Sequence, residues 1–99
     1  MKNQDFYILV KGSGDAGFGD RADAVIKCVY EDGKIKEQIF TDEDGLLDIL
    51  SSEQSYMSYL SPQDVADYIR KDGGNRFFSV KVISETIAYK VKEDPYNWE

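Results

Sequence analysis

Ala24-Val25-Ile26-Lys27-Cys28-Val29-Tyr30-Glu31-Asp32-Gly33-Lys34-Ile35-Lys36-Glu37-Gln38-Ile39-Phe40 is the stretch that decides the fold. Two alternating runs rich in β-branched residues flank Asp32-Gly33, the dipeptide that most strongly favours a two-residue hairpin turn. A type I′ turn there pairs Tyr30 with Ile35 and Ile26 with Ile39 on one face, and Val29 with Lys36 and Lys27 with Gln38 on the other. The first face is expected to be core and the second mostly wet.

Upstream, Asp5 to Lys11 reads as another strand. Phe6, Ile8 and Val10 lie on one side while Tyr7 and Leu9 make the other side apolar too, as a central strand requires. Between this strand and the hairpin lies Gly12-Ser13-Gly14-Asp15-Ala16-Gly17-Phe18-Gly19-Asp20, a loop by composition.

Downstream, helical spacing replaces alternation. Thr41 is placed to cap a helix with Asp42 and Glu43 in its first turn and Leu46, Leu47, Ile49 and Leu50 as its buried stripe. A break is expected near Ser51-Ser52, then a short helical turn carrying Tyr56, Met57 and Leu60. Ser61-Pro62-Gln63-Asp64 is a second helix start, with a serine cap, proline at the first position and an acid at the third. That helix is expected to bury Val65, Tyr68 and Ile69 and to stop at Gly73-Gly74. Two further strands, Arg76 to Ile83 and Thr86 to Lys92, are predicted to form a closing hairpin through Ser84-Glu85, with Phe78, Val80 and Val82 on its dry side against Val91, Tyr89 and Ile87. Glu93 to Glu99 reads as a tail. The order β-β-β-α-α-β-β defines a single α+β domain, a mostly antiparallel sheet with helices packed on one face.

Ninety-nine residues suffice for one modest core, and an apolar fraction of 41% with seven Tyr, five Phe and one Trp is that of a folded module. One cysteine, Cys28, cannot form an internal disulfide. The chain shows no signal-peptide pattern and no run long enough to span a bilayer, which predicts a cytoplasmic protein.

Charge is the most distinctive functional feature. The window Glu37 to Ile69 holds Glu37, Asp42, Glu43, Asp44, Asp48, Glu53, Asp64 and Asp67 with no Lys or Arg. It carries −8 while the rest of the chain sums to +1, giving the total of −7. Stable exposed helices usually interleave signs at i and i+4, so uncompensated acids through two helical segments point to a contact surface. An acidic chain repels phosphate backbones and anionic lipid, which argues against direct nucleic-acid or membrane binding.

Other chemistries fit less well. Gly12, Gly14 and Gly17 satisfy a phosphate-cradling glycine pattern, but a strand follows where a helix N-terminus would be needed. Asp42-Glu43-Asp44-Gly45 fails as a calcium loop, because Phe40 and Ser51 would occupy the first and last ligand positions. With no His in the chain, triads and zinc sites are disfavoured, and Cys28 in an apolar run is expected to pack. No cofactor, metal or catalytic residue is expected.

Asp42, Glu43, Asp44, Asp48, Glu53, Asp64 and Asp67, with Tyr56 and Tyr59 as anchors, are therefore the expected partner-binding residues. They would present carboxylates to a basic, nucleic-acid-handling protein where phosphates would lie, as small acidic anti-CRISPR or anti-restriction inhibitors do. Gly12, Gly14, Gly17, Phe18 and Gly19 form an alternative ligand or contact loop. A nucleotide-like ligand there would need Lys11, Arg21 and Lys27 to converge on it. A toxin-specific immunity protein would use the same acidic surface.

Overall fold

The structure, a computed structural model, describes residues 4–12, 24–42, 55–57 (backbone only), 60–74 and 77–94. Five strands, β1 (Phe6–Gly12), β2 (Ala24–Glu31), β3 (Lys34–Thr41), β4 (Ser55–Met57) and β5 (Phe77–Ile83), form one antiparallel sheet in the order β4-β3-β2-β1-β5. Among the described residues two helices pack on it, α1 (Pro62–Gly73) and α2 (Glu85–Glu93). The domain is thus α+β with a central antiparallel sheet.

The hairpin follows from its turn. Asp32 and Gly33 have φ of 53° and 75°, the two left-handed residues of a type I′ turn. All four pairs expected from that turn are present, Tyr30 with Ile35, Val29 with Lys36, Lys27 with Gln38 and Ile26 with Ile39. An irregularity follows, with Val25 opposite Thr41, so Phe40 is the extra residue of a bulge. Ile39, expected in the core, is 63% exposed, so the dry face ends before it.

β1 is the central strand. It lies between β2 and β5, and all seven of its residues are buried. Its even-numbered residues Phe6, Ile8 and Val10 pack with Ala24, Ile26, Cys28, Ile35 and Val80 against Val65, Ala66 and Ile69 of α1. Tyr7 and Leu9 on the other face pack with Val25 against Ala88 and Val91 of α2. The two helices therefore cover opposite faces, where the sequence predicted helices on one face only.

α1 begins as expected. Ser61 caps it with a reciprocal box: the Asp64 N–H donates to Ser61 Oγ at 3.2 Å and the Ser61 N–H donates to Asp64 Oδ2 at 3.1 Å. It ends at Gly74, whose φ of 59° suits glycine. Its buried stripe is Val65, Ala66, Ile69 and Gly73, and Tyr68, expected inside, is 53% exposed. Gly73 is buried because the Phe77 ring lies where a Cβ would stand.

Three further expectations are corrected. Residues 86–92 are helical, not a strand, because Ser84 caps α2 by accepting from the Ile87 N–H at 3.2 Å. Ser84-Glu85 is thus a helix start, not a hairpin turn. Tyr56 and Met57 belong to β4, paired through Ile35 opposite Tyr56 and Lys34 opposite Met57, not to a helical turn. Phe78, expected on the dry side of β5, is 63% exposed. A bulge sets Gly12 opposite Phe77, so Phe77 enters the core in its place. The helix expected from Thr41 to Leu50 lies outside the described residues beyond Asp42, and Thr41 itself ends β3.

Two substitutions test this packing. Gly73→Ala forces a methyl into the Phe77 ring and should cost about 1–3 kcal/mol, read as a lowered midpoint in urea. Ser84→Ala removes the α2 cap and should cost about 1 kcal/mol. If residues 85–93 formed a strand, that second change would be close to neutral.

Candidate contact surface

α1 turns its acids outward by helical periodicity. With Val65, Ala66, Ile69 and Gly73 committed to the sheet, Asp64, Asp67, Tyr68 and Lys71 recur on the solvent side at i, i+3, i+4 and i+7. Together they line a shallow depression of about 250 Å³. Asp64 has a structural duty, since it accepts from the Ser61 N–H in the capping box. Asp67 accepts from Gln63 Nε2 at 3.0 Å, one turn earlier. Among the described residues neither acid meets a Lys or Arg at ion-pair distance, although Lys71 borders the same depression.

Strand register explains where the bases went. Residues paired across an antiparallel ladder share a face, and faces alternate along each strand. Lys27 pairs with Tyr7, Lys81 with Leu9, and Lys11 with Ser79, which places all three on the α2 side. Lys36 opposite Val29 and Lys34 opposite Glu31 fall on that side as well. Every lysine of β1, β2, β3 and β5 therefore lies on the α2 face, away from the acids of α1. Lys36 ion-pairs with Glu31 at 3.1 Å, in the open, where such a pair contributes little.

The expected contact residues are only partly brought together. Asp64 and Asp67 share one exposed helix face, and Asp42 is half-buried just after β3, on a different element. Tyr56 contributes its backbone to β4. Glu43, Asp44, Asp48, Glu53 and Tyr59 lie outside the described residues, as do Gly14, Gly17, Phe18 and Gly19. Gly12 is buried at the end of β1. Tyr68 and Lys71 escaped the sequence reading, which assigned Tyr68 to the core. Ala66, small but fully committed to the sheet, was the signal that the buried stripe lies one residue over.

Of the three cations that a ligand loop would need, Lys11 and Lys27 are described, and both lie on the α2 side of the sheet. Lys27 sits beside Tyr7, four positions along β1 from Lys11, or about 13 Å at strand rise. Lys11 is buried. Among the described residues no group of His, Cys, Asp or Glu is arranged to hold a metal ion, and no helix is long and apolar enough to cross a membrane. Comparison with models of protein families, with curated proteins and with solved structures gave no match.

Cys28 packs between the strands, fully buried and with no disulfide. Burial, then the nearby carboxylates of Glu37 and Asp5, push its thiol up to about 12. Since only the thiolate is a strong nucleophile, Cys28 should resist iodoacetamide at pH 8 until the chain unfolds, and modification of the native protein would contradict its placement. The same shift gives a pH dependence. Below about pH 9 the thiol is protonated in both states, whereas between 9 and about 12 only the unfolded chain releases the proton. Stability should therefore decline across that window, less steeply in Cys28→Ala, by urea melts at stepped pH.

Proposed function

We propose that this chain is a non-enzymatic binding protein that docks its acidic surface on a basic, nucleic-acid-handling protein and occupies the place of phosphates, as anti-CRISPR and anti-restriction inhibitors do. The observation that carries this is the exposed pair Asp64 and Asp67, with no cation at ion-pair distance among the described residues, beside a half-exposed Tyr68. Three helical steps separate the two carboxylates by about 4.5 Å along the axis, on the order of the ~3.4 Å phosphate rise of a nucleic-acid strand. The strand lysines lie on the far face, and Lys71, which borders the same depression, makes no ion pair with either acid.

Tyr68 takes the role of aromatic anchor. Desolvating a ring supplies binding energy, while flanking carboxylates steer approach and set orientation. In sequence, Glu43, Asp44, Asp48 and Glu53 add four further carboxylates to the chain between Asp42 and α1.

Immobilised chain should capture a basic protein from source-cell lysate at low salt, release it at high salt, and lose it to competing duplex DNA. Reversing both acids, Asp64→Lys with Asp67→Lys, should weaken capture at least about tenfold, and Tyr68→Ala should weaken it without changing its salt dependence. Capture that survives the double reversal, or that DNA does not compete, would remove the proposal.

A further inference from the structure

Among the described residues, only about half of the α2 face of the sheet is covered. α2 lies over Tyr7, Leu9 and Val25, and toward the hairpin end the face continues as Lys27 beside Gln38, Val29 beside Lys36, and Glu31 beside Lys34. These are three successive rungs on one face, spaced by about 6.8 Å, so the row runs about 14 Å. Val29 is half-buried and Lys34 exposed. Among the described residues, Lys27 and Lys34 meet no carboxylate at ion-pair distance.

At the covered end of this row stands an aromatic ladder. Tyr7 packs edge-on against Phe40, and Phe40 edge-on against Tyr89, with ring centroids 5.2 Å apart in each pair. Lys27 Nζ stands 5.9 Å from the Tyr7 ring and Lys92 Nζ 4.9 Å from the Phe40 ring. Tyr89, the outermost ring, is 49% exposed. Its contact with Phe40, the ring over which Lys92 lies, holds it at the surface.

We infer that this face binds a short single strand of nucleic acid, with Lys27, Lys34, Lys36 and Lys92 on its phosphates and a base stacked on Tyr89. Lysines alone would suit any polyanion, an acidic protein included. A supported, half-exposed ring at the end of the lysine row favours nucleic acid, because sequence-tolerant stacking next to backbone neutralisation is how single strands are held. The net charge of −7 does not decide against this. Asp64 and Asp67 lie on the helix across the sheet, roughly 20 Å away through two packed layers, and the screening length at physiological salt is about 8 Å. Among the described residues, the carboxylates on this side are Glu31, whose 3.1 Å pair with Lys36 a phosphate would share, Asp5, two residues before Tyr7, and Glu85, Glu93 and Asp94 on and just after α2.

This site is independent of the acidic surface of α1, and the test separates them. Fluorescence anisotropy of a labelled oligothymidylate with the full chain, across a salt series, should show binding whose log affinity falls with log salt at a slope of about −2 to −3, about −0.7 for each phosphate neutralised. Lys34→Glu with Lys36→Glu should abolish it. Tyr89→Ala should weaken it about tenfold, while Tyr89→Phe, which keeps the stacking surface, should not. Asp64→Lys with Asp67→Lys should bind the oligonucleotide at least as well as the parent chain, even where it loses the basic partner. The inference is overturned by no binding at low salt, by an affinity that neither the lysine reversal nor Tyr89→Ala changes, or by polyglutamate displacing the oligonucleotide at equal charge, which would mark the face as a dock for acidic protein.

Discussion

Phe6, Ile8 and Val10 point to one side of the sheet, Tyr7 and Leu9 to the other, and all five are buried, so the central strand needs a covering layer on both sides. Leaving Tyr7 and Leu9 wet would forfeit about 1.5–3 kcal/mol for each large side chain. A closing hairpin that only extended the sheet would have left them so. α1 covers one side and α2 the other. Thr86, Ile87, Tyr89 and Val91 are mediocre helix formers, at a few tenths of a kcal/mol each against alanine, and the buried face they complete outweighs that cost.

The same double-sided burial shapes the charge distribution. α1 packs over the rungs built from Phe6, Ile8 and Val10, and the strand lysines all fall on the α2 side, where among the described residues the shorter helix does not reach the hairpin end. A chain whose sequence looks uniformly acidic in its middle third thus folds into a molecule with carboxylates on one helix and a row of lysines across the sheet from it. Local chemistry on each face, not the net charge, then decides what each face can hold.

Much of this was legible beforehand, for local reasons. Asp32-Gly33 specified a type I′ turn and with it the register of β2 and β3, and Ser61-Pro62-Gln63-Asp64 specified the start of α1, because both depend on neighbours in sequence. Residues 86–92 were misread because Ile87, Tyr89 and Val91 alternate as a strand would, while Ile87, Ala88 and Val91 equally fit one helix face. The deciding signals were present: a serine cap at Ser84, an acid at Glu85 in the first turn and bases at Lys90 and Lys92 in the last. The demand from Tyr7 and Leu9 for a second layer pointed the same way. Phe78 and Ile39 went wrong for a different reason, since a bulge shifts register by one residue and an end of cover is a tertiary fact, neither written in alternation. Of the candidate surface, the exposure of Asp64 and Asp67 was legible from helical spacing, whereas Tyr68 was not, because Ala66 took the inward position.

Burial of the Tyr7 side of β1 depends on α2 being a helix laid over it. Backbone chemical shifts with nuclear Overhauser contacts in a labelled sample measure this directly. Residues 85–93 should show helical Cα shifts, and the Val91 and Ala88 methyls should contact the layer formed by Tyr7, Leu9 and Val25. Extended shifts over those residues, with a cross-strand contact between Val82 and Ile87, would contradict it.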